Sequence, residues 1–160
     1  MNTLINLACF KVGEETFAAD IMRIREIILC RKITHIPKAP DFIEGIINLR
    51  GKVVPVIDMR KRLGLDTKEH SRDARIIVMK FQDQKRVGII VDSVVKVLRM
   101  EESQIQAAPK IAKGIESEYL KGIVRDGDEL VLVLDMEKVL TTTEKVRLDE
   151  VFSSDNVKEA

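Results

Sequence analysis

Short apolar blocks dominated by valine and isoleucine alternate with polar breaks along most of the chain, and the breaks carry turn residues. Leu4 to Val12 is followed by Gly13-Glu14-Glu15 and then by Thr16 to Ala19. Arg75 to Phe81 and Arg86 to Val91 flank Gln82-Asp83-Gln84-Lys85, and Leu130 to Leu134 follows Asp126-Gly127-Asp128-Glu129. β-Branched runs of this length between such breaks predict strands joined as hairpins.

A repeat is embedded in the pattern. Shifted by 77 positions, FIEGIINLRGKVVPVIDMRKRL (Phe42 to Leu63) falls without a gap on YLKGIVRDGDELVLVLDMEKVL (Tyr119 to Leu140), with 8 identities in 22 positions. Gly45 meets Gly122, Val54 meets Val131, and Asp58-Met59 meets Asp135-Met136. Each copy reads as a tight glycine entry, a strand, a short polar turn, a second strand, and an Asp that caps a helical turn. A weaker echo sets Thr16–Asp20 on Gly88–Asp92. Units this small bury too little surface alone, so they are expected to share a core. The prediction is a mainly β domain over 1–150 made of two small barrel-like halves, approximately 4–72 and 73–140, with room for strand exchange between them. The polar octet Asp66–Asp73 is expected to be an exposed loop where the halves meet, and Pro109 and Gly114 break the pattern between Met100 and Ser117. Thr141-x-x-Glu144 is a capping-box signature for a C-terminal helix ahead of a frayed tail, within 141–160.

Composition narrows the function. With 27 basic and 26 acidic residues the net charge is +1, so no global field draws the chain to nucleic acid or to an anionic membrane. Arg60-Lys61-Arg62 lacks the aromatic platforms of a nucleic-acid reader, because aromatics are only 4% of the residues. Cys9 and Cys30 read as buried free thiols in a reducing compartment, and the N-terminal apolar run is too short and interrupted for a signal peptide or membrane span. The expected location is cytoplasmic.

Catalytic groups are scarce. His35 and His70 are the only imidazoles, no metal-ligand spacing occurs, and phosphate-loop, dinucleotide and nucleophile-elbow motifs are absent. No catalytic, cofactor or metal residues are assigned. Asp20, Asp58, Asp92 and Asp135 each end a strand, where a carboxylate caps the next turn. A small-molecule-binding or hydrolytic site of Asp58, Asp135 and His35 is the rival reading. The Ile21–Leu29 and Val94–Leu98 stretches are either core strands or the lining of an exposed apolar groove for a partner helix. On the residues alone, Arg50-Gly51 is a turn.

Asn48-Leu49-Arg50-Gly51 followed by Val53-Val54-Pro55-Val56-Ile57-Asp58, with Gly88-Ile89-Ile90-Val91-Asp92 and Tyr119-Leu120-Lys121-Gly122 downstream, resembles the CheW family of bacterial chemotaxis coupling proteins. The match runs in order from about Leu4 to Leu140. The resemblance implies two SH3-like five-stranded barrels related by a pseudo-twofold axis, with short helices. It implies a non-enzymatic scaffold without cofactor or metal, joining the cytoplasmic tip of chemoreceptors to the regulatory domain of the histidine kinase CheA. Receptor contacts carried over by motif are Ile24, Glu26, Asn48, Arg50, Val94 and Val97, with Arg50 expected to pair with Glu26. Kinase contacts are expected at Gly45, Ile47, Val54 and Pro55 along a barrel edge. The family reading also implies a monomer in isolation that enters rings with the kinase, and recruitment to membrane receptor arrays through partners. A coupling protein of a non-flagellar chemosensory pathway would share all these features. The second repeat carries Arg125-Asp126-Gly127-Asp128 in place of Asn-Leu-Arg-Gly, which argues against an equivalent second receptor site.

Overall fold

Ten strands form two five-stranded sheets with the same internal order in the computed structural model, which describes residues 3–38, 43–65, 71–81, 85–107 and 119–139. The strands are β1 (Leu4–Val12), β2 (Glu15–Asp20), β3 (Ile24–Leu29), β4 (Gly45–Leu49), β5 (Lys52–Asp58), β6 (Arg75–Lys80), β7 (Arg86–Val91), β8 (Ser93–Glu101), β9 (Leu120–Asp126) and β10 (Glu129–Leu134). A 3-10 turn, Ile21–Arg23, precedes β3, and a single helical turn, α1 (Met59–Arg62), follows β5. His70, the Pro109–Gly114 break, much of the 66–73 loop and the proposed 141–160 helix lie outside the described residues.

One sheet runs β3-β6-β7-β5-β4 and the other β8-β1-β2-β10-β9. Neither sheet follows the halves 4–72 and 73–140: β6 and β7 complete the sheet of β3 to β5, and β1 and β2 complete that of β8 to β10. The parallel pairs β5–β7 and β10–β2 make the exchange, because each repeat hairpin has a free edge that the other half's hairpin satisfies. The Thr16–Asp20 echo identifies the right strands but slips by two residues. Gly88 lies opposite Val56, whereas the residue opposite Val133, the repeat partner of Val56, is Ala18.

Each sheet curls until its ends meet. Thr34, after β3, exchanges backbone hydrogen bonds of 2.9 and 2.8 Å with Ile46, and Gln106, after β8, does the same with Ile123 at 2.9 and 2.7 Å. Gly45 and Gly122 stand next to these closures, where any Cβ would run into the carbonyl oxygen of Thr34 or Gln106. Matching β-bulges lie in both barrels, at Arg25 in β3 and at Val95 in β8, so that Ile24 corresponds to Val94 and Glu26 to Lys96.

Three apolar layers result. Leu49, Val54, Val56, Ile76 and Val78 fill one barrel, and Leu7, Cys9, Val124, Val131 and Val133 fill the other. Between the barrels, Phe10, Val12 and Phe17 pack on Ile77, Met79, Ile89 and Val91. Strands with both faces covered lose the polar alternation, which is why Ile76-Ile77-Val78-Met79 is continuously apolar.

Candidate functional site

The β4–β5 hairpin closes on two residues, Arg50 and Gly51, since Leu49 pairs with Lys52. Both have positive φ, 52° and 83°, as a type I′ turn requires. Asn48 secures the turn by accepting from the Gly51 backbone N–H at 2.9 Å. Arginine in the left-handed region is costly where glycine or asparagine would sit without strain. Its guanidinium extends into solvent, 69% exposed, and donates to Glu26 Oε2 across the barrel seam. The expected Arg50–Glu26 pair is therefore present. The other carboxylate oxygen, Glu26 Oε1, is enclosed without a hydrogen-bond partner among the described residues.

The two strands β3 and β8 each present a mixed surface. Ile24 and Val94 are half-buried against the inter-barrel core, one from each barrel. Ile27 and Val97, equivalent positions on β3 and β8, are 41% and 55% exposed. The β3 and β8 strands thus alternate between half-buried positions packed on the cores and exposed ones. Ile24, Glu26, Asn48, Arg50, Val94 and Val97 all retain some exposure.

Gly45, Ile47, Val54 and Pro55 do not. All four are buried; Ile47 and Val54 pack inside the barrel, and Gly45 belongs to the closure. Pro55 falls just outside the β5–β7 ladder, which spans Val56 to Asp58, so its missing N–H leaves no gap there. The four expected kinase contacts are therefore buried and not presented at the surface.

The aspartates divide. Asp20, Asp58 and Asp135 accept from the backbone N–H of Met22, Arg60 and Glu137 at 3.0, 2.9 and 3.1 Å, as capping predicts. Asp92 departs from that reading: it accepts from the Gly13 N–H at 2.8 Å and from Arg60 Nε and Nη2 at 2.8 and 2.5 Å. Asp58 and Asp135 belong to different barrels and His35 is exposed on the segment after β3, so each member of the rival triad has a separate setting. Among the described residues no three His, Cys, Asp or Glu side chains cluster as metal ligands. Cys9 and Cys30 are free thiols, Cys9 fully buried and Cys30 half-buried, and burial raises both above the ordinary thiol range, Cys9 to about 11.

Sequence reasoning missed the counterpart of the Arg50 pair in the second barrel. Lys96, on β8, reaches Asp126 and, at 3.7 Å, Glu129 on the β9–β10 hairpin. Lys96 corresponds to Glu26, so the equivalent seam of the second barrel is bridged with the charges exchanged. The hydrogen bond to Asp126 raises the Lys96 ammonium above its usual range, against an opposing effect of desolvation. A signal was available in the basic 48–52 tip set against the acidic 125–129 tip, but only the bulge register aligns Glu26 with Lys96.

The CheW-like domain model matches residues 6–144. The chain is 37% identical to the chemotaxis protein CheW of Klebsiella aerogenes over 91% of its own length and 87% of that protein. It is 34% identical to the chemotaxis protein CheW of Treponema pallidum, over 89% of this chain and 85% of that one. Among solved structures, the scaffolding protein TtCheW from Thermoanaerobacter tengcongensis superposes with a TM-score of 0.80 at 33% identity, covering 89% of this chain and 91% of the other. Two interlocked five-stranded barrels, an arginine-tipped first hairpin and these matches together place the chain in the CheW family of chemotaxis coupling adaptors.

Proposed function

We propose that the protein is a non-enzymatic adaptor that joins the cytoplasmic signalling tip of chemoreceptors to the regulatory domain of the histidine kinase CheA. The receptor's helical hairpin docks against Ile24, Val94 and Val97, with Asn48, Arg50 and Glu26 forming the polar rim. Arg50 carries this reading: it occupies a φ of 52° that favours other residues, and in that conformation it holds an exposed side chain paired with Glu26, two residues along β3 from Ile24. The kinase domain meets the outer edge that Gly45, Ile47, Val54 and Pro55 support from inside. The chain is a monomer when isolated and joins rings with the kinase through opposite edges. It reaches the membrane through its partners; no helix among the described residues is long and apolar enough to cross one.

Two substitutions at one position test the receptor face by calorimetric titration. Arg50→Glu places two carboxylates at the seam and should weaken receptor-tip binding by about 1 to 3 kcal/mol while leaving binding of the kinase domain intact. Arg50→Asn removes the guanidinium but suits the left-handed turn, so its stability should stay within about 1 kcal/mol of the parent. Receptor affinity that survives Arg50→Asn would remove Arg50 from the interface, and equal loss of both partners in Arg50→Glu would point to unfolding.

A further inference from the structure

We infer that two ion pairs of opposite polarity, Arg60–Asp92 and Glu137–Arg23, are positioning residues for the receptor face, an inference that rests on the adaptor reading above. Among the described strands the chain crosses between barrels twice, at Asp20–Arg23 between β2 and β3, and at Asp92 between β7 and β8. Each crossing leads directly into the strand that carries one apolar contact of the proposed face, Ile24 or Val94. Each is also held by the barrel that the chain has just left.

At the first crossing, Arg23 Nη1 donates to Glu137 Oε1 at 2.7 Å. Glu137 stands two residues beyond Asp135, whose carboxylate accepts from the Glu137 N–H. At the second crossing, Asp92 accepts two hydrogen bonds from Arg60 and one from the Gly13 N–H, and its own N–H donates to the Lys11 carbonyl at 2.9 Å. Arg60 stands two residues beyond Asp58, whose carboxylate accepts from the Arg60 N–H. Arg60 and Glu137 are thus the same position of the 77-residue repeat, each aimed at a crossing by the same aspartate-capped turn, one as a cation and the other as an anion. The bidentate Arg60–Asp92 pair fixes both distance and orientation, the Arg23 Nη1–Glu137 Oε1 hydrogen bond fixes distance, and partial burial limits the screening of both by salt. Each clamp therefore sets one wall of the inter-barrel face relative to the other.

The opposite polarity also supplies the experiment. The Arg23–Glu137 side chains are 34% and 23% exposed, against 15% and 21% for Arg60–Asp92, so the first pair is the one to reverse without desolvating a misplaced charge. In the full chain, Arg23→Glu should weaken binding of the receptor tip about tenfold, and the double reversal Arg23→Glu with Glu137→Arg should bring it back to within about threefold of the parent. Amide exchange read by mass spectrometry should be faster in residues 20–29 of the single variant, unchanged in residues 129–134, and restored in the double variant. Arg60→Lys, which keeps the charge and loses the fork, should speed exchange in residues 92–101 in the same way. If Arg23→Glu leaves receptor affinity and crossing exchange unchanged, or if affinity falls and the double reversal does not recover it, these residues do not position the face. A parent protein that fails to bind the receptor tip would defeat the adaptor reading, while the exchange measurements would still decide whether the clamps hold the crossings.

Discussion

Arg50 and its neighbour Gly51 show how little a residue's type says until its conformation is known. Gly51 has nothing within 4 Å of where a Cβ would stand, so Gly51→Ala should cost only the left-handed penalty, about 1 to 2 kcal/mol. Gly45 and Gly122 have ordinary backbone angles but no room, and Gly45→Ala or Gly122→Ala should cost about 3 kcal/mol because a backbone carbonyl must move. Urea midpoints of the three variants measure this order. Cys9 is a second case. Its folded pKa of about 11 lies above the ordinary value of 9.0, so the unfolded chain releases the thiol proton first as pH rises. The thiol's contribution is complete below pH 9.0 and falls away as pH rises through about 11. Cys9→Ala should flatten that part of the stability–pH curve, seen by urea titration across this range, and a slope that persists would assign it to another group.

At the scale of elements, the hairpins are decided locally and the edges are not. Gly13 at φ 64° and Gly127 at φ 63° each take the first of two loop positions, as a type II′ turn asks, while Arg50-Gly51 makes the I′ alternative. All three loops were legible from their residues. The exposure of β4 and β5 was not, because an alternation of apolar residues names two faces without saying what covers each. Ile47 and Val54 turned out to be interior. Ile47→Val should therefore cost about 0.5 to 1.5 kcal/mol of stability and leave kinase-domain affinity unchanged, as titration of the folded protein would report. A large loss of kinase affinity at unchanged stability would return Ile47 to the interface.

For the whole molecule, the layer between the barrels couples two units that are each too small to be stable alone. Phe10 and Phe17 stack at 6.2 Å in that layer and both are fully buried. Phe10→Ala should cost about 3 to 5 kcal/mol, and because the layer is shared, amide exchange should rise in strands of both barrels by the same factor. Acceleration confined to β1, β2 and β8 to β10 would mean that the barrels unfold separately. The interlocking also explains the clamps, since a chain that crosses twice between barrels needs both crossings held for the surface between them to keep one shape.

The sequence by itself determined the strands, the places of their turns, the capping role of Asp20, Asp58 and Asp135, and the repeat that relates β4–β5 to β9–β10. Those features follow from residues near one another in the chain, where backbone preference and side-chain reach act directly. Only the tertiary structure decided which hairpin completes which sheet, since a free strand edge does not name its partner. Nor could local pattern show that Glu26 meets Arg50, that Asp92 serves a crossing and not a cap, or that Gly45 and Gly122 close barrels. Each of those outcomes depends on distance between residues far apart in sequence, and that distance exists only once both barrels have folded against each other.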